Sequence, residues 1–327
     1  MEDIKLEDFI REWNDASEYV EVQTSGSTGT PKIIKAEKKK MVASAEMTCD
    51  FLGLKENDSA LLCMSLKHIG AKMMVVRSIV RKLKLIEVAV SGHPLAELSC
   101  APDFAAMVPL QVYNSLQNEE EKKLLFQIKN LIIGGGPINK KMEAELKDAP
   151  NNIWSTYGMT ETLSHIALRK INGNDASEWY KPFNEVSLQL TEHQTLRIIA
   201  PKLCDTPLDT NDIAEINSDG HFRIIGRKDN TIISGGIKIQ AEEVERLLGI
   251  DADHTFAIGG LPDEKFGQIL VALTTPEFED TLKSKIPFLP KYFQPKKLFL
   301  TELIPTTENG KIDRKKIREI LKENSMT

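Results

Sequence analysis

The chain has 327 residues, of which 41% are hydrophobic and 28% charged, and its 42 Lys+Arg against 48 Asp+Glu give a net charge of −6. Such a composition is typical of a globular protein with a buried core, and the length favours two domains over one. The lack of a basic excess argues against a nucleic-acid partner, and no apolar run approaches the roughly 18 residues of a membrane span, so we expect no membrane insertion.

The first half of the chain alternates between helices and short apolar strands. Apolar spacing predicts helices at 3–13, 38–52, 69–82, 109–127 and 138–148. Strands are predicted at 19–23, 33–34, 59–64, 85–90, 104–108, 130–133 and 153–155. This alternation indicates an α/β fold, in which a mixed or parallel sheet carries helices on both faces.

Past residue 180 the pattern changes to short strands joined by tight turns. Strands are predicted at 186–190, 195–199, 213–216 and 221–225, as a small β region. After 226–229, a hairpin (231–239), a helix (241–248), strands near 254–260 and 268–275 and a terminal helix (311–323) form an α+β unit. We therefore predict a large core domain at 1–226 and a smaller C-terminal α+β domain at 227–327.

The N-terminal residues and the cysteines indicate the cellular compartment of the protein. The sequence begins Met1-Glu2-Asp3, without the basic and apolar regions of a secretory signal. The cysteines are scattered without a CxxC pair, as expected of reduced thiols: Cys49, Cys63, Cys100 and Cys204. We expect a cytoplasmic protein with neither a disulfide framework nor a zinc site.

A loop of small polar residues lies between the first two predicted strands. Its members are Thr24, Ser25, Gly26, Ser27, Thr28, Gly29, Thr30, Pro31 and Lys32. Glycines let backbone N–H groups turn toward a ligand, and the hydroxyls and the lysine add donors and charge, which suits a polyphosphate. The spacing is not that of a Walker A loop. The loop alone is equally consistent with a flexible polar connection.

Two further turns follow predicted strands. Gly134-Gly135-Gly136-Pro137 would let a flat ligand approach the backbone at the end of a strand, or it is simply a tight turn. Tyr157-Gly158-Met159-Thr160-Glu161-Thr162 combines an aromatic ring for stacking with a carboxylate that can hold Mg²⁺ beside phosphates. The alternative for this segment is a turn with a helix N-cap at Thr160 or Thr162.

Four single residues complete the set of candidates. Asp212, at the start of a predicted strand, could accept both hydroxyls of a ribose, although an Asp in a turn is ordinary. Lys311 follows a turn that could deliver its ammonium group to a phosphate. His68 is either a satisfied histidine or a gate near an acyl group. Arg77 lies among apolar neighbours and needs an anionic partner, which could be structural or a substrate carboxylate.

Taken together, these segments resemble the acyl-adenylate-forming, or AMP-binding, enzyme family. Six motifs occur in the order of that family between Thr24 and Lys311, including a hinge segment at Gly226–Asp229 with Ile233–Lys238. The resemblance implies ATP, Mg²⁺ and coenzyme A as cofactors and co-substrates, and a small-molecule carboxylic acid as the substrate. It leaves homo-oligomerisation open.

The resemblance also implies residue roles. The nucleotide would be bound by the 24–32 loop, Gly134–Pro137, Tyr157, Gly158, Thr160, Asp212 and Arg227. Catalysis would involve Lys311, His68, Thr160 and Glu161, with Glu161 on the metal. The acid would contact His68, Arg77, Gly158 and Met159. Asp229 would be the hinge about which the C-terminal domain rotates, and Gly235 and Gly236 would serve the thioester step.

Within the family, the chain most resembles the o-succinylbenzoate–CoA ligases of menaquinone biosynthesis. His68-Ile69 with Arg77-Ser78 is similar to a segment of those ligases whose arginine meets a substrate carboxylate, and Ser164–Ala167 and Thr210–Asp212 are similar too. Family members usually carry well over a hundred residues before the phosphate loop, so the resemblance implies an active but N-terminally trimmed enzyme. The alternatives are another aryl- or acyl-CoA ligase, a carrier-loading adenylation enzyme, or a non-catalytic nucleotide-binding remnant.

Overall fold

The computed structural model describes residues 4–23, 33–249, 255–307 and 312–326. The helices are α1 (Leu6–Asn14), α2 (Lys38–Leu52), α3 (Ile69–Arg81), α4 (Pro109–Leu116), α5 (Glu119–Leu125), α6 (Lys140–Leu146), α7 (Ala241–Leu248), α8 (Glu279–Lys285) and α9 (Arg314–Met326). The strands are β1 (Tyr19–Gln23), β2 (Ile33–Glu37), β3 (Ser59–Leu62), β4 (Lys84–Glu87), β5 (Phe104–Met107), β6 (Asn130–Ile133), β7 (Asn152–Gly158), β8 (His165–Lys170), β9 (Lys181–Pro182), β10 (Ser187–Leu190), β11 (Thr195–Ile199), β12 (Leu208–Ile216), β13 (Phe222–Arg227), β14 (Thr231–Ser234), β15 (Ile237–Gln240), β16 (Phe256–Asp263), β17 (Gly267–Thr274) and β18 (Lys297–Leu300).

A seven-stranded mixed sheet in the order β4-β3-β5-β6-β7-β8-β9 forms the centre of the first part of the chain. Its pairs from β4 to β7 are parallel, whereas β8 and β9 pair antiparallel. Every residue of β5 and β6 is buried, as in a sheet covered on both faces. The predicted α/β core is confirmed.

Residues 109–127 are helical as predicted, but they form two helices, α4 and α5, separated by a break. The side-chain oxygen of Asn118 accepts hydrogen bonds from the backbone N–H groups of Glu120 and Glu121 at 3.0 and 3.1 Å. This N-cap starts α5 anew after α4 has ended at Leu116.

The second half of the chain contains two further sheets. A four-stranded sheet has the order β10-β11-β12-β13, as the predicted small β region requires. Strands β14 to β18 form a further sheet, in which successive residues of β16 pack into separate apolar clusters. Ile258 belongs to a cluster with Val244 of α7, and Ala257 to one with Ile317 of α9. Helices on both faces of this sheet make the predicted C-terminal α+β fold.

The chain divides into two compact units. Unit 1 comprises Met1–Leu188, Ile198–Leu208 and Asn217–Phe222, and unit 2 comprises Gln189–Arg197, Asp209–Ile216 and Arg223–Thr327. The domain boundary at 226/227 stays a prediction. Across the described ranges, every helix is too short or too polar to cross a lipid bilayer.

Candidate active site

The predicted site segments of unit 1 gather at one edge of the seven-stranded sheet. Strands β3, β5, β6 and β7 run parallel, so their carboxyl ends share an edge, and open α/β sheets bind ligands at such an edge. His68 lies beyond β3, Gly134–Pro137 follows β6, and Tyr157–Thr162 ends β7. A Cβ built on Gly134 would lie 2.3 Å from Oγ1 of Thr156. The turn after β6 is therefore packed directly against the end of β7.

Gly158 is required where β7 meets β8. A Cβ at this position would lie 2.3 Å from the carbonyl oxygen of Ser164 and 2.4 Å from Cα of His165, both of which are backbone atoms. The register of the β7–β8 pair also shifts between Tyr157 and Gly158. The absence of a side chain lets the two strands approach closely beside the predicted adenine and magnesium motif.

The Thr160–Thr162 turn of 3₁₀ helix is held together by one hydroxyl. Oγ1 of Thr162 accepts a hydrogen bond from the backbone N–H of Met159 at 3.1 Å and lies 2.7 Å from the carbonyl oxygen of Ser164. Thr160 is buried and Glu161 is exposed. The carboxylate of Glu161 is the hard oxygen donor that Mg²⁺ prefers, and a single carboxylate beside substrate phosphates is a usual way of holding this ion. The residue present therefore fits the implied metal.

Tyr157 belongs to an aromatic cluster. Its ring centroid lies 5.0 Å from that of Phe222 in an edge-to-face arrangement and 5.9 Å from that of Tyr180. Tyr180 and Phe222 are stacked at 5.5 Å, and the Tyr180 hydroxyl pairs with the Ser155 hydroxyl at 2.9 Å. These contacts fix a half-buried aromatic ring at the end of β7, which a flat base could use for stacking.

Arg77 is a buried cation in α3. It is 1% exposed, and burial lowers its pKa to about 10, so the guanidinium remains charged at neutral pH. Its Nη2 donates a hydrogen bond of 2.6 Å to the hydroxyl of Ser164, and its buried Nε has no acceptor within the described ranges. No carboxylate of the described ranges forms an ion pair with it. The nearby Cys49 is a neutral thiol, because burial raises its pKa.

His68 precedes α3, whereas Arg77 lies within the helix, one turn before its end at Arg81. His68 is the exposed residue immediately before the helix, and it forms a parallel bridge with Gln23 at the end of β1. Helical geometry separates the two positions by about 13 Å along the axis. The structure therefore does not bring together these two residues, which are both predicted to contact the acid.

Asp212 and Arg227 are brought together in unit 2. Asp212 lies within β12 rather than at the start of a strand, because β12 already begins at Leu208. Oδ1 of Asp212 accepts a hydrogen bond of 2.9 Å from Nη1 of Arg227 on the neighbouring strand β13. Nη2 of Arg227 also lies 3.8 Å from a carboxylate oxygen of Asp229. The two residues predicted for the ribose thus form one ion pair.

The Gly235-Gly236 pair joins β14 to β15. Gly235 has φ +57° and Gly236 has φ +84°, and two positive φ values in succession are those of a tight hairpin turn that favours glycine. The N–H of Gly235 donates to the carbonyl oxygen of Phe266 at 2.8 Å. The predicted thioester-step segment is therefore a hairpin tip anchored on the loop before β17.

Two predicted motifs lie outside the described residues. They are the polar loop (Thr24, Ser25, Gly26, Ser27, Thr28, Gly29 and Lys32) and Lys311. The polar loop connects Gln23 and Ile33, which are paired residues of the antiparallel β1–β2 hairpin. Lys311 directly precedes Ile312, which forms an antiparallel bridge with Thr306.

Thr48 and His165 are absent from the residues that the sequence predicts for the site. Both are buried, and Nε2 of His165 lies 3.0 Å from Oγ1 of Thr48. One signal was available in the sequence. Thr48 shares the apolar face of α2 with Met41, Ala45 and Leu52, and a hydroxyl on a buried face requires a hydrogen-bonding partner.

The chain is similar to known proteins in sequence and in fold. The family model described as AMP-binding enzyme matches residues 16–203. A 2-succinylbenzoate–CoA ligase of Listeria monocytogenes is 25% identical, over 97% of this chain and 73% of its own. A solved acyl-CoA synthetase (AMP-forming)/AMP-acid ligase II-like protein of Dyadobacter fermentans is 30% identical with a TM-score of 0.67, over 96% of this chain and 93% of its own. The o-succinylbenzoate CoA synthetase of Bacillus subtilis, solved with the acyl-adenylate OSB-AMP, shares the fold with a TM-score of 0.75 at 22% identity, over 91% of this chain and 68% of its own.

Proposed function

Because this chain belongs to the AMP-binding enzyme family, we propose that it is an ATP-dependent carboxylate–CoA ligase acting through an acyl-adenylate, with o-succinylbenzoate as its acid. The name of the Listeria relative supports the choice of acid. o-Succinylbenzoate has two carboxylates, of which one is activated and the other is available for recognition. The site must therefore contain a group that binds a second carboxylate.

Arg77 is the observation that carries this choice of acid. A buried guanidinium that keeps its charge and meets no carboxylate of the described chain is costly unless a ligand supplies the anion. A planar guanidinium can also bind a carboxylate through two parallel hydrogen bonds. We assign Arg77 to the carboxylate of o-succinylbenzoate that is not adenylated.

In the first half-reaction, the other carboxylate attacks the α-phosphate of ATP and releases pyrophosphate. Such a step depends on positioning and charge neutralisation. We assign Lys311 to the reacting carboxylate and α-phosphate, and the 24–32 loop to the β- and γ-phosphates. Tyr157, beside Gly134–Pro137, is assigned to the adenine. A Mg²⁺ ion held by Glu161 would supply charge neutralisation at the phosphates.

The ion pair of Asp212 with Arg227 is assigned to the ribose, because the arginine holds the carboxylate in place at 2.9 Å. In the second half-reaction, the thiol of CoA attacks the acyl-adenylate, forming the thioester and releasing AMP. We assign Asp229 as the hinge residue between the two steps, and the tip of the β14–β15 hairpin, Gly235 and Gly236, to the second step.

Acid-dependent exchange of labelled pyrophosphate into ATP tests the first step. o-Succinylbenzoate, benzoate and a medium-chain fatty acid are supplied in turn, and thioester formation is then measured with CoA. We expect exchange and thioester with o-succinylbenzoate. If pyrophosphate exchange occurred only with another acid, that acid would take the place of o-succinylbenzoate as the proposed substrate. If exchange occurred but no thioester formed with CoA, a carrier-loading adenylation enzyme would be favoured. ATP binding without exchange would identify a non-catalytic remnant.

We place the reaction in the cytoplasm, where ATP and CoA are both available, with the acid, ATP and CoA as small-molecule partners. Light scattering of the purified chain would determine whether copies of it associate.

A further inference from the structure

Three hydrogen bonds connect Arg77 to Thr48 of helix α2 through the interior of unit 1, and a fourth lies within α2. Nη2 of Arg77 donates to the hydroxyl of Ser164 at 2.6 Å, and that hydroxyl lies 3.2 Å from Nδ1 of His165. Nε2 of His165 lies 3.0 Å from the hydroxyl of Thr48, which donates to the carbonyl oxygen of Ser44 at 3.1 Å. We call this chain of contacts the Arg77 relay.

The donors of the relay have one consistent direction. The hydroxyl of Thr48 has a single proton, which it donates in a hydrogen bond to the carbonyl oxygen of Ser44, so its oxygen accepts the hydrogen bond from His165. His165 therefore carries its proton on Nε2, and its Nδ1 accepts from the hydroxyl of Ser164. The Ser164 oxygen is in turn the acceptor for Arg77. This order requires a neutral imidazole.

The surroundings of His165 agree with that state. Burial, with a further contribution from the positive charge of Arg77, lowers the pKa of His165 well below its ordinary value. The His165 ring packs edge-to-face against Phe183, with ring centroids 5.6 Å apart. The ring centroid of Phe183 lies in turn 5.4 Å from that of Phe51 in α2. The orientation of the ring is thus fixed by packing as well as by hydrogen bonds.

We propose that His165, anchored on Thr48, is a positioning residue that holds Arg77 by neutral dipoles and so leaves its charge for the second carboxylate of the substrate. A carboxylate in place of the Ser164–His165 pair would hold the guanidinium equally well but would neutralise it. This inference rests on the proposed role of Arg77. It identifies His165 as the residue that keeps the charge of Arg77 available, so that the site selects a dicarboxylic acid.

Thr48→Val removes the anchor of the relay with little change of shape, and Thr48→Ser is the matched control that keeps the hydroxyl. The measured quantity is the ratio of kcat/KM for o-succinylbenzoate to that for a monocarboxylate analogue, benzoylpropionate or butyrylbenzoate, whichever is adenylated. We expect Thr48→Val to lower this ratio about 3- to 10-fold, the effect of one neutral hydrogen bond. Thr48→Ser should keep the ratio of the unmodified protein. His165→Phe, which keeps a ring but removes both nitrogens, should lower the ratio at least as much.

The double variant Thr48→Val/Arg77→Met separates a positioning role from a structural one. If the relay acts through Arg77, Thr48→Val should no longer change the ratio once Arg77 is methionine. A loss of activity equal for both acids, or a loss that persists in the Arg77→Met background, would overturn the relay. An unchanged ratio in Arg77→Met alone would instead remove the proposed role of Arg77. If Arg77→Met lowered the ratio but Thr48→Val and His165→Phe did not change it, the positioning role of the Arg77 relay would be rejected and the proposed role of Arg77 would stand.

Discussion

Arg77 and Ser164 lie 87 residues apart in the chain, yet Nη2 of the buried guanidinium donates a hydrogen bond of 2.6 Å to the serine hydroxyl. A hydroxyl satisfies one N–H of the arginine but does not balance its charge. The described residues therefore offer this cation no anionic partner, and its burial is costly. Because of this cost, we expect that removing the charge at position 77 increases the stability of the protein while it weakens substrate binding.

Arg77→Met should stabilise the protein and weaken its recognition of the acid. A methionine fills a similar volume without an uncompensated charge, so we expect a gain of about 1 kcal/mol, or about 2–4 °C in Tm. Loss of the guanidinium should raise KM for o-succinylbenzoate about 100-fold, with KM for ATP unchanged. Calorimetry and steady-state kinetics on the same samples test both parts. A large fall in Tm with unchanged KM would make Arg77 a structural residue.

Asp212→Asn should raise KM for ATP about tenfold, because the ribose hydroxyls would lose a charged acceptor. Asp209→Asn is the matched control. Asp209 lies on the same strand and also pairs with an arginine, Arg197, but the side chain of Asp209 is 52% exposed, against 13% for that of Asp212. Exposed pairs contribute little, so the control should stay within about twofold of the unmodified protein. Equal effects of the two substitutions on KM would contradict the assignment of Asp212 to the ribose.

Gly158→Ala should destabilise unit 1 by about 2 kcal/mol or more, because the added Cβ meets backbone atoms of Ser164 and His165 that cannot rotate away. Thermal unfolding measures this loss of stability, and we expect the rate of adenylation to decrease as well. Gly70→Ala is the control, since a Cβ there meets only the end of Met64 at 3.8 Å, and alanine is favoured over glycine within a helix. A Gly158→Ala protein as stable as this control would show that β7 and β8 can separate without cost.

The sequence predicted those elements whose signal is local. The apolar face of α2 and the strand before Tyr157 are visible as periodicity, and both lie where the sequence places them. The break between α4 and α5 depends on the side chain of Asn118, a capping signal that the apolar pattern at 109–127 conceals.

The partners of Arg77 could not be read from the sequence. The sequence shows that a cation lies among apolar residues, but it leaves open whether a structural carboxylate faces it. Ser164 is 87 residues away, and the Thr48–His165 contact spans 117 residues. Such contacts depend on how α2, α3 and β8 pack, and no local pattern encodes that packing.

Lys311→Ala should abolish the exchange of pyrophosphate into ATP but spare thioester formation from preformed acyl-adenylate. The ammonium group is assigned to the first step alone, where it would neutralise the reacting oxygens. Lys315→Ala, at an exposed position near the start of α9, is the matched control and should leave both steps unchanged. Equal loss of the two steps in Lys311→Ala would remove the assigned role of Lys311.

His165→Gln should make the stability of the protein less sensitive to acid. The pKa of His165 is well below 6.5 in the folded protein, so between that lowered value and 6.5 the side chain is neutral when folded and protonated when unfolded. The unfolded chain then binds the extra proton, and stability falls as the pH drops below 6.5. Between about pH 7.5 and about pH 5.5, protonation of this residue in the unfolded chain should cost the unmodified protein on the order of 1 kcal/mol of stability, a cost that is absent in His165→Gln. Thermal unfolding at the two pH values measures the difference, with His193→Gln at an exposed histidine as the control. An identical acid sensitivity in His165→Gln and the unmodified protein would mean that His165 is protonated in the folded state, and the donor order of the Arg77 relay would then be wrong.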